Sequence, residues 1–402
     1  MKKAVFSIII LYFIQGIIHN LGHPVTPAFV RALEIPDNMF GFFYATMSFG
    51  LMVGAPIWGM LADKGNKRTM MAIGLLIYSI GQFGFGYSGN MYWMVFFRFL
   101  SGFGVAASMT LFVSHMIEVS EVERRARHLA WLAAGLALGA SIGYALGGFI
   151  STNDYLVNLL KTDDLRVVFL IQGLLNIVHT INVFFLIKDS DVINKATKKP
   201  SIIESFKNIK SINTNLLLFL ISLIFISISI TNLSKYLDVY FDDLGYNSGD
   251  IGNFVFVTGI VSIVTSVLIV PLITKLHKNL LIMIITQAIS IGVVIYVFRA
   301  NNFLLIVYTV YMIYVIGKAI YQPLEQNFIA DNATKGFYSS IMGVRQSFYS
   351  IGMIAGPLIG GFLYEKFPRY VFDFSALMIF IGLILMIIVF VRVKKNGDLQ
   401  NS

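Results

Sequence analysis

Cysteine is absent from the 402-residue chain. That excludes disulfides, thiolate metal clusters and thiol chemistry, and leaves the redox compartment undetermined. Charge is scarce too: charged residues make up 13% of the chain against 57% hydrophobic. A soluble domain carries about a quarter charged residues, so this balance points to the bilayer as solvent. Histidine is limited to six residues. We find no His-Glu-x-x-His cluster, no nucleophile elbow and no phosphate-binding Gly-Lys-Ser/Thr loop, so an enzyme is not expected. The formal net charge is +9, but the basic residues sit in short loops between apolar runs, which argues against nucleic acid as a partner. The abundance of Ile, Lys and Asn points to an AT-rich bacterial genome.

What is present is a series of apolar runs, each near the roughly 20 residues that cross a bilayer. The pattern predicts an all-α membrane protein with twelve spans, at 4–29, 39–62, 69–88, 92–117, 126–151, 166–187, 214–240, 249–274, 279–298, 302–329, 336–363 and 370–391. The Lys-Lys start followed by an apolar run resembles a signal peptide. No small-residue cleavage site follows, so the run reads as a retained first span. Residues 188–213 hold six lysines and no long apolar run, which marks a linker between halves 1–187 and 214–402. The loops on the side of the N-terminus carry most of the Lys and Arg, among them Lys64, Lys67, Arg68, Arg124, Arg125 and Arg127. The opposite loops carry Arg31, Lys161, Arg166, Arg299, Lys366 and Arg369. The positive-inside rule then places both termini and the linker in the cytoplasm of a cell-membrane protein.

The two halves repeat one another. Gly139, Gly143, Gly147 and Gly148 in span five are matched 213 residues later by Gly352, Gly356, Gly360 and Gly361 in span eleven. Four local patterns carry a resemblance to a known family. The first is Gly59-Met60-Leu61-Ala62-Asp63-Lys64-Gly65-Asn66-Lys67-Arg68. The second is Arg98-Phe99-Leu100-Ser101-Gly102-Phe103-Gly104-Val105-Ala106. The third is the glycine row, complete as Gly356-Pro357-Leu358-Ile359-Gly360-Gly361 and with Tyr144 in place of proline in span five. The fourth is Gly22-His23-Pro24-Val25-Thr26-Pro27 closing span one. Together they resemble the major facilitator superfamily, and within it the twelve-span drug:proton antiporter group. The resemblance implies two pseudo-symmetric six-helix halves working by alternating access. It implies that Asp63 contacts span eleven, that Lys67 and Arg68 lie at the phospholipid headgroups, and that Arg98 takes part in proton coupling. Asn66 departs from the family's glycine. Independently of the family, glycines at every fourth position clear a groove for close helix approach. His23 reads as a loop-edge histidine or a pH sensor.

Charges inside spans are functional candidates by default. Lys235 and Asp238 stand three apart on one face of span seven, where they can neutralise each other. Glu325 in span ten and Arg345 in span eleven lie at matching depth and form a candidate pair across helices. Proton coupling needs a carboxylate whose proton affinity changes with water access. Asp238 and Glu325 are the candidates, with Glu118 and His115 secondary. Lys318 is the deepest charge, and no lone acid lies at mid-depth. That predicts a preference for anionic, zwitterionic or neutral ligands. Tyr308, Tyr311, Tyr314 and Tyr321 recur at helical spacing in span ten, and Gln322 belongs to the polar run around Pro323. They line a ligand wall or pack as ordinary core.

The reading is a proton-coupled secondary transporter exporting small amphipathic compounds. It has no cofactor beyond the proton gradient, and its partners are small molecules, protons and the lipid bilayer. A monomer is expected. A dedicated exporter of a metabolite such as a sugar, an organic anion or siderophore, or a lipid headgroup is the alternative.

Overall fold

The computed structural model describes residues 3–62, 67–120, 122–187, 213–274, 276, 278–332 and 338–395. The linker 188–213, apart from its last residue, and the acidic residue Asp63 of the first motif lie outside the described residues, as does the side chain of Glu118. The described helices run, in chain order, α1 (Lys3–Asn20), α2 (Thr26–Ala32), α3 (Asn38–Ala62), α4 (Lys67–Tyr87), α5 (Met91–Val119), α6 (Val122–Thr152), α7 (Asp154–Leu160) and α8 (Arg166–Leu186). They continue with α9 (Thr214–Asp243), α10 (Ser248–Val264), α11 (Val270–Thr274), α12 (Asn279–Val297), α13 (Phe303–Asp331), α14 (Tyr338–Lys366) and α15 (Pro368–Lys395). Among the described residues, eleven stretches are long and apolar enough to cross a membrane, and Ala4–Asn20 is a shorter apolar helix.

The first expected span, 4–29, is not one helix. It breaks after Asn20 and resumes at Thr26. Pro24 cannot donate, and its ring would crowd the carbonyl four residues back, that of Asn20. The chain instead passes through tight turns, with His23 N–H donating to Asn20 O at 3.3 Å and Thr26 N–H to His23 O at 3.2 Å. Pro27 then sits in the first turn of α2, where a missing N–H costs nothing. Proline acts a second time between α10 and α11. Residues Thr265–Ile269 form a π-turn in which Val270 N–H donates to Thr265 O, five residues back. Pro271 follows at once, and a widened turn relieves its clash with the preceding carbonyls.

The chain divides into two compact units. The first comprises Met1–Thr197 and Asp238–Gly259. Its core joins α1, α4, α5, α6 and α8 through Ile8, Leu11, Met71, Leu75, Phe112, Leu132 and Val183, all buried. Polar side chains tie the same helices where water is scarce. Asn176 Nδ2 donates to Leu75 O at 2.7 Å and to Ser79 Oγ at 2.9 Å. Gln172 Nε2 donates to Ile18 O at 2.8 Å and to Tyr78 Oη at 2.9 Å. Here the glycine row serves close approach. A Cβ on Gly139 would strike the backbone of Phe13 and Ile17, one on Gly143 that of Ile17, and one on Gly147 that of Leu21.

The second unit comprises Lys198–Leu237 and Ile260–Ser402. The same device recurs inside it. Gly352 faces the backbone of Ile224 and Ile228, Gly356 faces Ile228, and Gly360 faces Asn232 and Tyr236. Tyr236 Oη donates to Pro357 O at 2.8 Å, fixing α9 to α14 at the proline of the complete motif. Phe298 and Phe372 stack at 3.5 Å with their planes 3° apart.

Candidate functional site

In the first unit, Asp238 is 2% exposed near the end of α9. Tyr144 Oη on α6 donates to Asp238 Oδ2 at 3.2 Å. Tyr144 is the residue that stands in place of the motif's proline, so the departure from the motif supplies the hydrogen bond to this acid. The His23 ring stacks on Tyr144 with centroids 5.5 Å apart and planes at 14°, and lies 6.4 Å from Tyr44. His23 is therefore built into an aromatic cluster at the acid. Tyr44 is in electrostatic reach of both Asp238 and Arg98.

Arg98 is 3% exposed, so it points inward and does not snorkel. Its guanidinium lies 3.6 Å from the centroid of the Phe85 ring. Nε and Nη2 are buried with no hydrogen-bond partner among the described residues. His19, Tyr78, Gln82 and Gln172 share its cavity. Lys235, half-buried, is one turn before Asp238 on α9.

A second charged cluster escaped the reading of the sequence. Arg31, at the end of α2, pairs through Nη1 with Asp242 Oδ2 at 2.7 Å, through Nη2 with Asp243 Oδ1 at 2.5 Å, and through Nε with Asp37 Oδ1 at 3.4 Å. Partial burial opposes the Arg31 charge, but the carboxylates of Asp243, Asp37 and Asp242 outweigh it and raise its pKa. The signal in the sequence was an isolated acidic pair at the end of a span. Its partner lies 211 residues away.

In the second unit, Glu325 and Arg345 form a bidentate ion pair. Arg345 Nε donates to Glu325 Oε1 at 2.9 Å and Nη2 to Oε2 at 2.8 Å. Glu325 is 1% exposed and Arg345 9%. Nη1 also donates to Gln346 Oε1 at 3.1 Å, and the guanidinium lies over Tyr349. Pro323 falls within α13, two residues before Glu325. It cannot donate to the carbonyl of Ala319, which loosens the helix beside the pair. Tyr321 is buried one turn from Glu325, whereas Gln322, about 100° further round the helix, is exposed.

Higher on α13, Lys318 lines a cavity with Ser229, Gln287, Ser290, Tyr314 and Tyr321. Tyr311 and Tyr314 are in ring contact, 5.1 Å apart, and Tyr308 is half-buried.

In the motif after α3, the Lys67 side chain is buried against the protein. It is 9% exposed and its Nζ donates to Ser114 Oγ at 3.0 Å. The reason is its place as first residue of α4, beside α5, where the long stem folds inward and reaches a hydroxyl. The Arg68 guanidinium lies 4.6 Å from the centroid of the Phe184 ring. Gly59 has open space where a Cβ would stand.

A family model described as Major Facilitator Superfamily matches residues 6–343 and again 217–402. The chain belongs to the major facilitator superfamily. Among superfamily members it is 24% identical to Multidrug resistance protein 2 of Bacillus subtilis over 396 residues, covering 95% of this chain and 94% of the relative. It is 26% identical to the multi-drug resistance efflux pump PmrA of Streptococcus pneumoniae, with 88% of each chain covered. It is 23% identical to the quinolone resistance protein NorA of Staphylococcus aureus, with 91% of each covered. A bacterial homologue of the human lysosomal transporter Spinster, solved in an inward-facing and occupied conformation, shares the fold. Its TM-score is 0.77 at 14% identity, covering 96% of both chains. The apolar helices and this membership make the chain a multi-pass membrane protein.

Proposed function

We propose that this superfamily member is a proton-coupled secondary transporter that exports small amphipathic compounds by alternating access. In this reading it has twelve spans, the short α1 being the first, in halves 1–187 and 214–402 joined by a cytoplasmic linker at 188–213. Both termini are cytoplasmic, the chain acts as a monomer, and the proton gradient is its only energy source. The repeated glycine contacts, α6 on α1 and α14 on α9, support two related halves. Residues 238–259 then belong by sequence to the second half and by contact to the first compact unit.

The observation that carries the coupling is a pair of buried carboxylates, one bonded to Tyr144 and the other paired with Arg345. Asp238 accepts a hydrogen bond from neutral Tyr144. Glu325 is held by cationic Arg345. A proton arriving on Asp238 removes the charge that Tyr144 and the aromatic cluster solvate. A proton arriving on Glu325 dissolves the ion pair beside the Pro323 interruption and frees α13 against α14. Each event changes which helices are held together, and that is what an alternating-access cycle requires of a bound proton. Full-length similarity to proteins named for multidrug resistance and efflux supports export of drug-like compounds.

The test is proton movement in proteoliposomes, followed with a pH-sensitive dye during challenge by cationic, neutral and anionic amphipaths. Flux driven by chemically diverse compounds and lost in Asp238→Asn or Glu325→Gln is the expected result. Flux with no compound, or flux that survives both substitutions, sinks the coupling assignment. Lys318 favours a second reading, a dedicated exporter of an anionic metabolite. Flux with one anionic class alone decides for it.

A further inference from the structure

The cavity around Lys318 is lined by several hydrogen-bond donors. Ser229 of α9 and Tyr314 and Tyr321 of α13 are 0%, 5% and 2% exposed. Their hydroxyls are buried with no hydrogen-bond partner among the described residues. All three line the same cavity as Lys318 and Gln287. Native proteins leave few buried polar groups unpaired, and three around one cavity need a common explanation. Lys318 adds an ammonium with three donors and no capacity to accept. Among the described residues no carboxylate lines this cavity and no ion pair involves Lys318. The nearest acid along α13 is Glu325, two helical turns or about 10 Å away. Both of its oxygens are taken by Arg345.

An unpaired ammonium midway along a membrane-spanning helix is costly unless it gives up its proton or a counter-charge arrives, and an anion is what holds it charged. Backbone carbonyls are committed to the helices around it, and hydroxyls can accept but carry no compensating charge. The group that satisfies an ammonium and three free hydroxyls together is a small anion with several lone pairs. A carboxylate offers about four acceptor sites. The cavity volume is about 10 Å³, room for a group of roughly water size and far below the 300–1,000 Å³ of a pocket that swallows a drug-sized molecule. At most the small anionic head of a ligand enters it. Ile226, Ile230 and Ile379 complete its lining with apolar surface.

We propose that Lys318, Ser229, Tyr314 and Tyr321 form an anion-binding subsite for the carboxylate of an amphipathic organic acid. This deepens the export reading by naming one substrate class, and rests on that reading for its physiological role only. A lipid headgroup shares the anionic chemistry but resides at the membrane boundary, not midway along α13.

The experiment is equilibrium binding of radiolabelled benzoate to the purified full chain in nanodiscs of zwitterionic lipid, with no proton gradient. Saturable binding is expected. It should be displaced by unlabelled benzoate and left intact by neutral benzamide or the phenyltrimethylammonium cation. Lys318→Gln should abolish binding and Lys318→Arg should restore part of it. Tyr314→Phe, Tyr321→Phe and Ser229→Ala, which each remove one hydroxyl, should weaken it by about tenfold, the effect of a hydrogen bond to a charged group. Each variant is first shown to be monodisperse and to melt like the parent. Absence of saturable benzoate binding overturns the proposal. So does undiminished binding in Lys318→Gln, or equal displacement by benzamide. Displacement by a rising share of phosphatidylglycerol in the nanodisc would make the occupant a lipid headgroup and overturn the organic-acid assignment. Because no gradient is used, a failure here leaves the coupling test at Asp238 and Glu325 untouched. Failure of proton flux likewise leaves this binding result standing.

Discussion

Glu325 and Arg345 are a case in which the two members of an ion pair cannot be valued separately. Each oxygen of Glu325 receives its own N–H, so the desolvation cost of both charges is offset inside one contact. Removal of one member strands the other. Arg345→Gln or Glu325→Gln alone is expected to destabilise the protein by about 3–5 kcal/mol. The double substitution Glu325→Gln/Arg345→Gln should recover much of that loss, because it leaves no orphaned charge. Thermal unfolding of the four proteins in detergent closes the cycle. Additive losses would show that the pair is not coupled. This contact was legible in the sequence because both residues sit at countable depths in adjacent spans. The Tyr144–Asp238 bond was not. Its members are 94 residues apart, and the sequence marked Tyr144 only as a missing proline. Depth counting gives a charge's height in the membrane but not the direction in which its helix turns it.

Helices here are held by backbone proximity as much as by side-chain volume. With lipid on the outside there is little hydrophobic drive to bring apolar helices together, so close contact and polar ties do more of the work. Gly143 has no room for a side chain, because its Cβ would meet the carbonyl of Ile17. Gly59 has no neighbour within 4 Å of the same atom. Gly143→Val should therefore lower the melting temperature by the equivalent of about 1–3 kcal/mol or more, through overpacking. Gly59→Ala should leave it unchanged or raise it by up to about 1 kcal/mol from helix propensity. Equal behaviour of the two variants would dismiss the groove. The four-residue glycine period was readable directly, since it is a helical period. The break of the first span was not read, though Gly22, Pro24 and Pro27 were in view. Apolar composition continues through Thr26–Ala32, and hydropathy does not register a missing N–H.

At the scale of the molecule, the Arg31 cluster joins parts of the chain that only the fold brings together. One guanidinium faces three carboxylates, from the turn after α2 and from the end of α9. Arg31→Gln leaves those carboxylates repelling one another. A loss of about 1 kcal/mol is expected at neutral pH, modest because the group is 25% exposed and screened. The sign with pH follows. Burial raises the Asp242 pKa and Arg31 opposes that rise, so the benefit of Arg31 is present at neutral pH, where the carboxylate is ionised, and is lost as the carboxyl protonates in acid. The melting temperatures of parent and variant should therefore converge in acid. Curves that stay parallel from pH 7 to pH 4 would show that Arg31 acts by packing alone.

The π-turn at Thr265–Ile269 changes how the following segment must be addressed. One extra residue in the turn rotates everything after it by about 100° relative to a regular helix. A wheel drawn from Ser248 to Thr274 on a single period would assign Leu272 and Ile273 to the wrong faces. Spin labels, cross-links or substitutions placed there by periodicity would report on a face about 100° round the helix from the one intended.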